Sequence, residues 1–122
     1  GLFRAKDGGT ISIQLERLLV GGLTGWAKVV RNNKVEKLLN IIADGLDLRG
    51  SINVQLRITE KGPMIFEINP RFSSTAFMRH KLGFSDVNWA VKEHYGESIE
   101  LSSPNAGTVL VRTQDSVILS EG

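Results

Sequence analysis

The sequence contains no cysteine, which excludes a disulfide framework, a thiolate nucleophile and cysteine-ligated zinc, and suits a reducing compartment such as the cytoplasm. Histidine is nearly absent too. Only His80 and His94 are present, and no second ligand lies at metal-binding helical spacing beside both of them, so zinc and a histidine-based triad are not indicated and surface or capping roles suit them. An excess of one charge is also missing: 15 basic against 13 acidic residues leave a formal charge of +2, which is no footprint for nucleic acid. No apolar run approaches the roughly 20 residues that span a bilayer, and the opening GLFRAKDGGT lacks the charged-then-apolar pattern of a leader. A soluble, cytoplasmic chain without membrane or nucleic-acid partners is expected.

What is present suffices for one core. At 122 residues with 41% hydrophobic composition, residues 1–122 are expected to form a single domain. The chain begins with Gly1 rather than methionine and enters a strand-like stretch at once, which suggests a piece of a longer polypeptide. GLFRAKDGGTISIQL reads as two short strands around the turn Asp7-Gly8-Gly9. In ERLLVGGLTGWAKVV a glycine loop from Gly21 to Gly25 precedes a strand from Trp26 to Arg31. Val35, Leu38, Leu39, Ile42, Ala43 and Leu46 recur at helical intervals and predict an amphipathic helix over 34–46, capped by Asn32 or Asn33 and ended by Gly45 or Gly50. TAFMRHKLGF predicts a short helix closed by Gly83. SDVNWAVKEHYG predicts another, with Ser85 as cap, Asp86 in the first turn and Gly96 as stop. TVLVRT and SVIL read as short strands, which makes 97–122 a C-terminal β extension.

The chemistry concentrates in two consecutive strands. SINVQLRITE alternates strictly, with Ile52, Val54, Leu56 and Ile58 on one face and Asn53, Gln55, Arg57 and Thr59 on the other. GPMIFEINPRFSST does the same, with Phe66 and Ile68 opposing Glu67, Asn69 and Arg71. A loop Glu60-Lys61-Gly62, with glycine in the left-handed position, pairs Thr59 with Pro63 and sets Gln55 directly across from Glu67, their Cβ atoms roughly 4.5 to 5.5 Å apart. Asn53, Asn69 and Arg71 extend that face, with Val54, Leu56, Phe66 and Ile68 behind it. Carboxylate and amide oxygens are ligands that Mg²⁺ accepts while leaving positions for phosphates, and Arg71 can clamp phosphate or carboxylate oxygens. The same alternation also describes an ordinary half-exposed sheet with its polar side in water, and spacing alone does not choose between the two.

The order GLDLRGSINVQL followed by FEINPRFSST resembles the C-terminal part of an ATP-grasp domain, most closely the carbamoyl-phosphate-synthase-like branch, with its Gln- or Glu-bearing strand followed by Glu-x-Asn-x-Arg. The resemblance is strong over residues 34–96. It implies an α+β fold, an antiparallel β-sheet with helices packed on one face. It implies ATP and Mg²⁺ (or Mn²⁺) as cofactors, with Gln55 and Glu67 on one ion, Glu67 and Asn69 on the other, and Arg71 as the catalytic arginine that stabilises transferred charge. It further implies a ligase that phosphorylates a small carboxylate substrate and lets a nucleophile displace the phosphate. The Gly-rich phosphate loop, the adenine-side lysine and the adenine-contacting hinge strand of such enzymes are not found in these residues, so the N-terminal part of the ATP-grasp domain is an expected partner and the stretch alone is expected to be inactive. A non-catalytic ATP-grasp remnant or interaction module is the alternative.

Other residues are less telling. Gly21-Gly22-Leu23-Thr24-Gly25 lacks the Gly-Lys-Ser/Thr ending of a phosphate loop, and a loop over the site suits it better. Arg17 follows a strand and can reach the phosphate region as a cofactor-binding residue, although an ion pair with Glu16 in solvent accounts for it equally. Ser73, Ser74 and Thr75 can donate to a substrate carboxylate or cap the next helix. Trp26 and Trp89 fit core positions.

Overall fold

The computed structural model describes residues 1–113. Seven strands and three helices follow one another: β1 (Leu2–Arg4), β2 (Thr10–Ser12), β3 (Gln14–Val20), β4 (Leu23–Val30), α1 (Asn33–Gly45), β5 (Gly50–Thr59), β6 (Gly62–Asn69), α2 (Ala76–Lys81), α3 (Asp86–His94) and β7 (Val109–Val111). They build two antiparallel sheets, one in the order β2-β1-β5-β6 and one in the order β3-β4-β7. The α+β class with antiparallel sheets is as the sequence implied. The SVIL segment lies outside the described residues.

The helices are divided between two faces of the first sheet. Leu2 and Phe3 are consecutive, so they point to opposite sides, yet both are fully buried. Leu2 joins Ile52 and the α1 residues Val35, Leu39 and Ala43 in one cluster. Phe3 joins Ala5, Ile13, Phe84 and Trp89 in another, where the Trp89 ring sits 5.3 Å from Phe3 and 5.1 Å from Phe84. The short strand β1 thus carries a core on each side.

Each helix end has a local cause. Asn32 caps α1 with its side-chain oxygen, which accepts from Lys34 N at 2.9 Å and Val35 N at 3.3 Å. Helix α1 does end at Gly45, but the left-handed residue that closes it is neither glycine: Asp47 adopts that conformation with φ 43, which aspartate tolerates better than most residues, and Leu48 N bonds Ala43 O. Gly83 with φ 91 and Gly96 with φ 74 follow α2 and α3 as expected. Ser85 occupies the N-cap position of α3 without a capping bond; its Oγ meets His80 Nδ1 at 2.9 Å instead.

The glycine segment is a tight hairpin rather than a loop from Gly21 to Gly25. Gly21 and Gly22 take φ values of 57 and 79, the two-residue geometry that matches strand twist, and β4 starts at Leu23, three residues earlier than the apolar pattern indicates. Gly25 is the extra residue of a bulge, since Leu18 pairs with Trp26 and Leu19 with Thr24. A Cβ there would lie 2.6 Å from Val20 Cγ2.

Between β2 and β3 stands only Ile13, where the chain leaves one sheet for the other. Gln14 fixes the crossing by accepting from Asn32 N at 2.9 Å through Oε1 and donating to Asn32 O through Nε2. The β3–β4 hairpin therefore leans over the polar side of β5.

Candidate functional site

In the β5–β6 ladder Gln55 pairs with Glu67 and Asn53 with Asn69. The pairing was anticipated, but the path to it differs. The strands resume at Thr59 opposite Gly62, one residue tighter than a Thr59–Pro63 pair, and Leu56 faces Ile65. Phe66 is thus an unpaired bulge residue between Ile65 and Glu67, and the bulge restores the register. The bulge also removes Phe66 from the support of the platform: it is 60% exposed, with the Arg57 guanidinium 6.0 Å from its ring centroid. Val54 and Leu56 do pack against the α1 core.

Arg17 arrives from the other sheet. Its Nη2 donates to Gln55 Oε1, and Gln55 Nε2 donates in turn to Glu67 Oε2. Its Nη1 reaches Thr24 Oγ1 at 3.4 Å. Three strands, β3, β5 and β6, are therefore joined by one chain of side-chain bonds, and among the described residues Arg17 makes no ion pair with Glu16. Of the residues singled out in the sequence, Arg17, Gln55 and Glu67 are brought together and Asn69 lies next along the same face. Arg71 is not: β6 ends at Asn69, and the exposed Arg71 side chain donates to Phe72 O at 3.1 Å.

The sequence did not reveal what lies beside Asn53. Arg79 of α2, only 2% exposed, donates from Nη2 to Asn53 Oδ1 at 2.6 Å and from Nε to Thr75 Oγ1 at 3.0 Å, and its Nη1 lies 3.5 Å from Asp86 Oδ2. Asp86, 1% exposed, also accepts from Ser51 Oγ at 2.7 Å. It is thus a buried counter-charge for Arg79 rather than a helix-end charge in solvent. Ser73 Oγ bonds Thr75 Oγ1 at 2.9 Å, so these hydroxyls hold an arginine rather than cap α2, while Ser74 offers its carbonyl to Arg112 at 3.0 Å. Burial pulls the Arg79 pKa below its usual value; Asp86 opposes the shift and the facing charge of Arg17 adds to it. The only local sign of Arg79 in the sequence is Thr75, four residues before it on the same helical face.

The solvent-face reading of β5 therefore holds for Arg57 and Thr59, which are exposed, and fails from Ser51 to Gln55. There helices α2 and α3 and strand β3 cover the polar side.

The donor set suits a hard cation with open coordination positions. One carboxylate and two side-chain amides converge, and the Asn69 Nδ2 atom is buried without a hydrogen-bond partner in the protein. A buried amide end without a partner is costly, and the two ends of the amide interchange by a half-turn, so Asn69 can present its oxygen there to a cation. Among the described residues no three His, Cys, Asp or Glu side chains gather, so a closed all-protein cage is not formed.

Residues 4–116 match the family described as ATP-grasp in the biosynthetic pathway with Ter operon. The chain belongs to the ATP-grasp family. No curated protein matched the sequence. ATP-grasp domains generally bind ATP and Mg²⁺, and the polar face of β5 and β6 is where this chain brings together the side-chain oxygens of Gln55 and Glu67 with Arg17. No helix among the described residues is long and apolar enough to cross a membrane.

Proposed function

We propose that this ATP-grasp chain supplies the metal- and phosphate-binding half of an ATP-dependent ligase, and that the ligase works in the cytoplasm on a small carboxylate. The observation that carries the reading is the Gln55–Glu67 pair, directly opposed across the ladder and bonded to Arg17 from the second sheet. Gln55, Glu67 and Asn69 would hold the cations. When bound, Mg²⁺ or Mn²⁺ would neutralise charge on the phosphate oxygens and polarise the bond that breaks.

In this reading Arg17 binds the polyphosphate, and the Arg71 side chain, which among the described residues bonds only Phe72 O, turns towards the transferred phosphoryl group. A carboxylate oxygen of the substrate attacks the γ-phosphorus, the bond to the bridging oxygen breaks, and ADP leaves. The resulting acyl phosphate is attacked at carbon by an amine, which loses a proton as inorganic phosphate departs. The order of Gln-bearing strand and Glu-x-Asn-x-Arg supports a kinship with carbamoyl-phosphate-synthase-like enzymes. The resemblance is to the C-terminal part of such enzymes, which supports the expectation that this stretch alone turns over no substrate.

The test uses the full-length polypeptide that carries the sequence. ATP binding in the presence of Mg²⁺, followed by calorimetry, is expected to weaken at least tenfold in Glu67→Ala and Asn69→Ala. Hydroxylamine is expected to trap a hydroxamate only when ATP and a carboxylate are both present. Unchanged affinity in both variants would falsify the metal assignment and leave the reading of a non-catalytic interaction module.

A further inference from the structure

Gln55 has one side-chain oxygen, and Arg17 uses it. Its nitrogen end is also engaged, by Glu67, so the amide cannot simply turn over without losing both bonds. A dication on that oxygen would sit against the Arg17 guanidinium, with Arg79 behind Asn53 on the same side. Two guanidiniums face two carboxylates here, those of Glu67 and Asp86. A dication added alone leaves the cluster two positive charges in excess, in a partly covered site where like charges repel more strongly than in water. A nucleotide polyphosphate reverses that balance, and it also offers Arg17 better acceptors, since charge-assisted bonds to phosphate are stronger than a bond to an amide oxygen.

Resting on the site reading above, we infer that Arg17 is a clasp on Gln55 that keeps the site closed to a free divalent cation and that a polyphosphate releases. Metal and nucleotide then enter as a coupled pair: the polyphosphate draws Arg17 away, and the freed Gln55 oxygen becomes a ligand. Arg17 acts on the cation through Gln55 and is a positioning residue for it. Thr24 Oγ1, at 3.4 Å from Nη1, helps hold the clasp in place.

The probe is Mn²⁺, its free concentration read by electron paramagnetic resonance, with and without a non-hydrolysable ATP analogue, on the full-length polypeptide. In the native protein, Mn²⁺ alone is expected to bind weakly and at least tenfold more tightly with the analogue. In Arg17→Ala, Mn²⁺ alone is expected to bind severalfold more tightly than in the native protein, and the enhancement by the analogue to shrink. Arg17→Lys separates the clasp from mere charge, because the ammonium ends one bond short of Nη2. A lysine variant that resembles Arg17→Ala supports the clasp. One that resembles the native protein, or an alanine variant with no gain in metal affinity while the native protein binds Mn²⁺ with the analogue, overturns it. If no protein binds Mn²⁺ even with the analogue, the metal site itself is refuted and the clasp with it. Arg17 is half-buried on a hairpin rather than in either apolar cluster, and unfolding curves of each variant confirm that the fold is intact.

Discussion

Gln55 faces Glu67 across the β5–β6 ladder only because Phe66 stands outside the pairing. The turn at Glu60-Lys61 shifts the register by one residue and the bulge at Phe66 shifts it back. Two departures from a plain hairpin cancel, and the polar platform is what remains.

Since Phe66 is 60% exposed, Phe66→Ala is expected to cost less than about 1 kcal/mol, mainly the weak contact with Arg57. Leu39→Ala, at 4% exposure in the α1 core, is expected to cost about 2–5 kcal/mol from lost burial and the cavity left behind. Urea unfolding of the two variants provides the comparison, and a cost at Phe66 equal to that at Leu39 would contradict the bulge.

Arg79 and Asp86 are 2% and 1% exposed, so removing one strands the other. Arg79→Met is expected to destabilise the domain by about 3–5 kcal/mol, and Asp86→Leu by a similar amount. Replacing both is expected to cost much less than the sum, because the double variant leaves no buried charge unpaired. A double-mutant cycle by chemical denaturation measures the difference.

Asn32 satisfies two amides of α1 and bonds Gln14 through its backbone. Asn32→Ala is expected to cost about 1 kcal/mol, since only the side-chain cap is lost. A cost below a few tenths, read from the denaturation midpoint, would show that the cap is idle.

Arg71 lies off the strand: its backbone N–H donates to Asn69 O, but among the described residues its side chain bonds none of Gln55, Glu67 or Asn69. Under the proposed function, Arg71→Ala is expected to leave ATP affinity within about threefold while kcat falls about 10²- to 10³-fold, the effect of removing one group that stabilises charge in the transition state. A large loss of ATP affinity with kcat preserved would make it a binding residue.

The sequence shows local order well and buried polar partnerships poorly. Helix α1 is legible because its apolar residues repeat at a helical period and Asn32 stands at the start. The facing of Gln55 and Glu67 is legible because strand alternation admits few registers. The bulge is not, since Phe66 continues the alternation without a break. Arg79 is illegible for a different reason: its partners Asn53, Thr75 and Asp86 come from a strand and two helices, and each has a sufficient local explanation as a strand face, a helix start or a first-turn acid. Arg17 was equally suited to solvent until the lean of β3 over β5 placed it on Gln55.

Ile13 gives the site a mechanical arm. It is the single residue between the two sheets, buried to 2% exposure and fixed in the Phe3–Trp89 cluster, so it serves as a fulcrum for the β3–β4 hairpin. Arg17 lies four residues along the arm, about 13 Å from that point at the rise of an extended chain. A tilt of roughly ten degrees would move it by about 2 Å, enough to part it from Gln55.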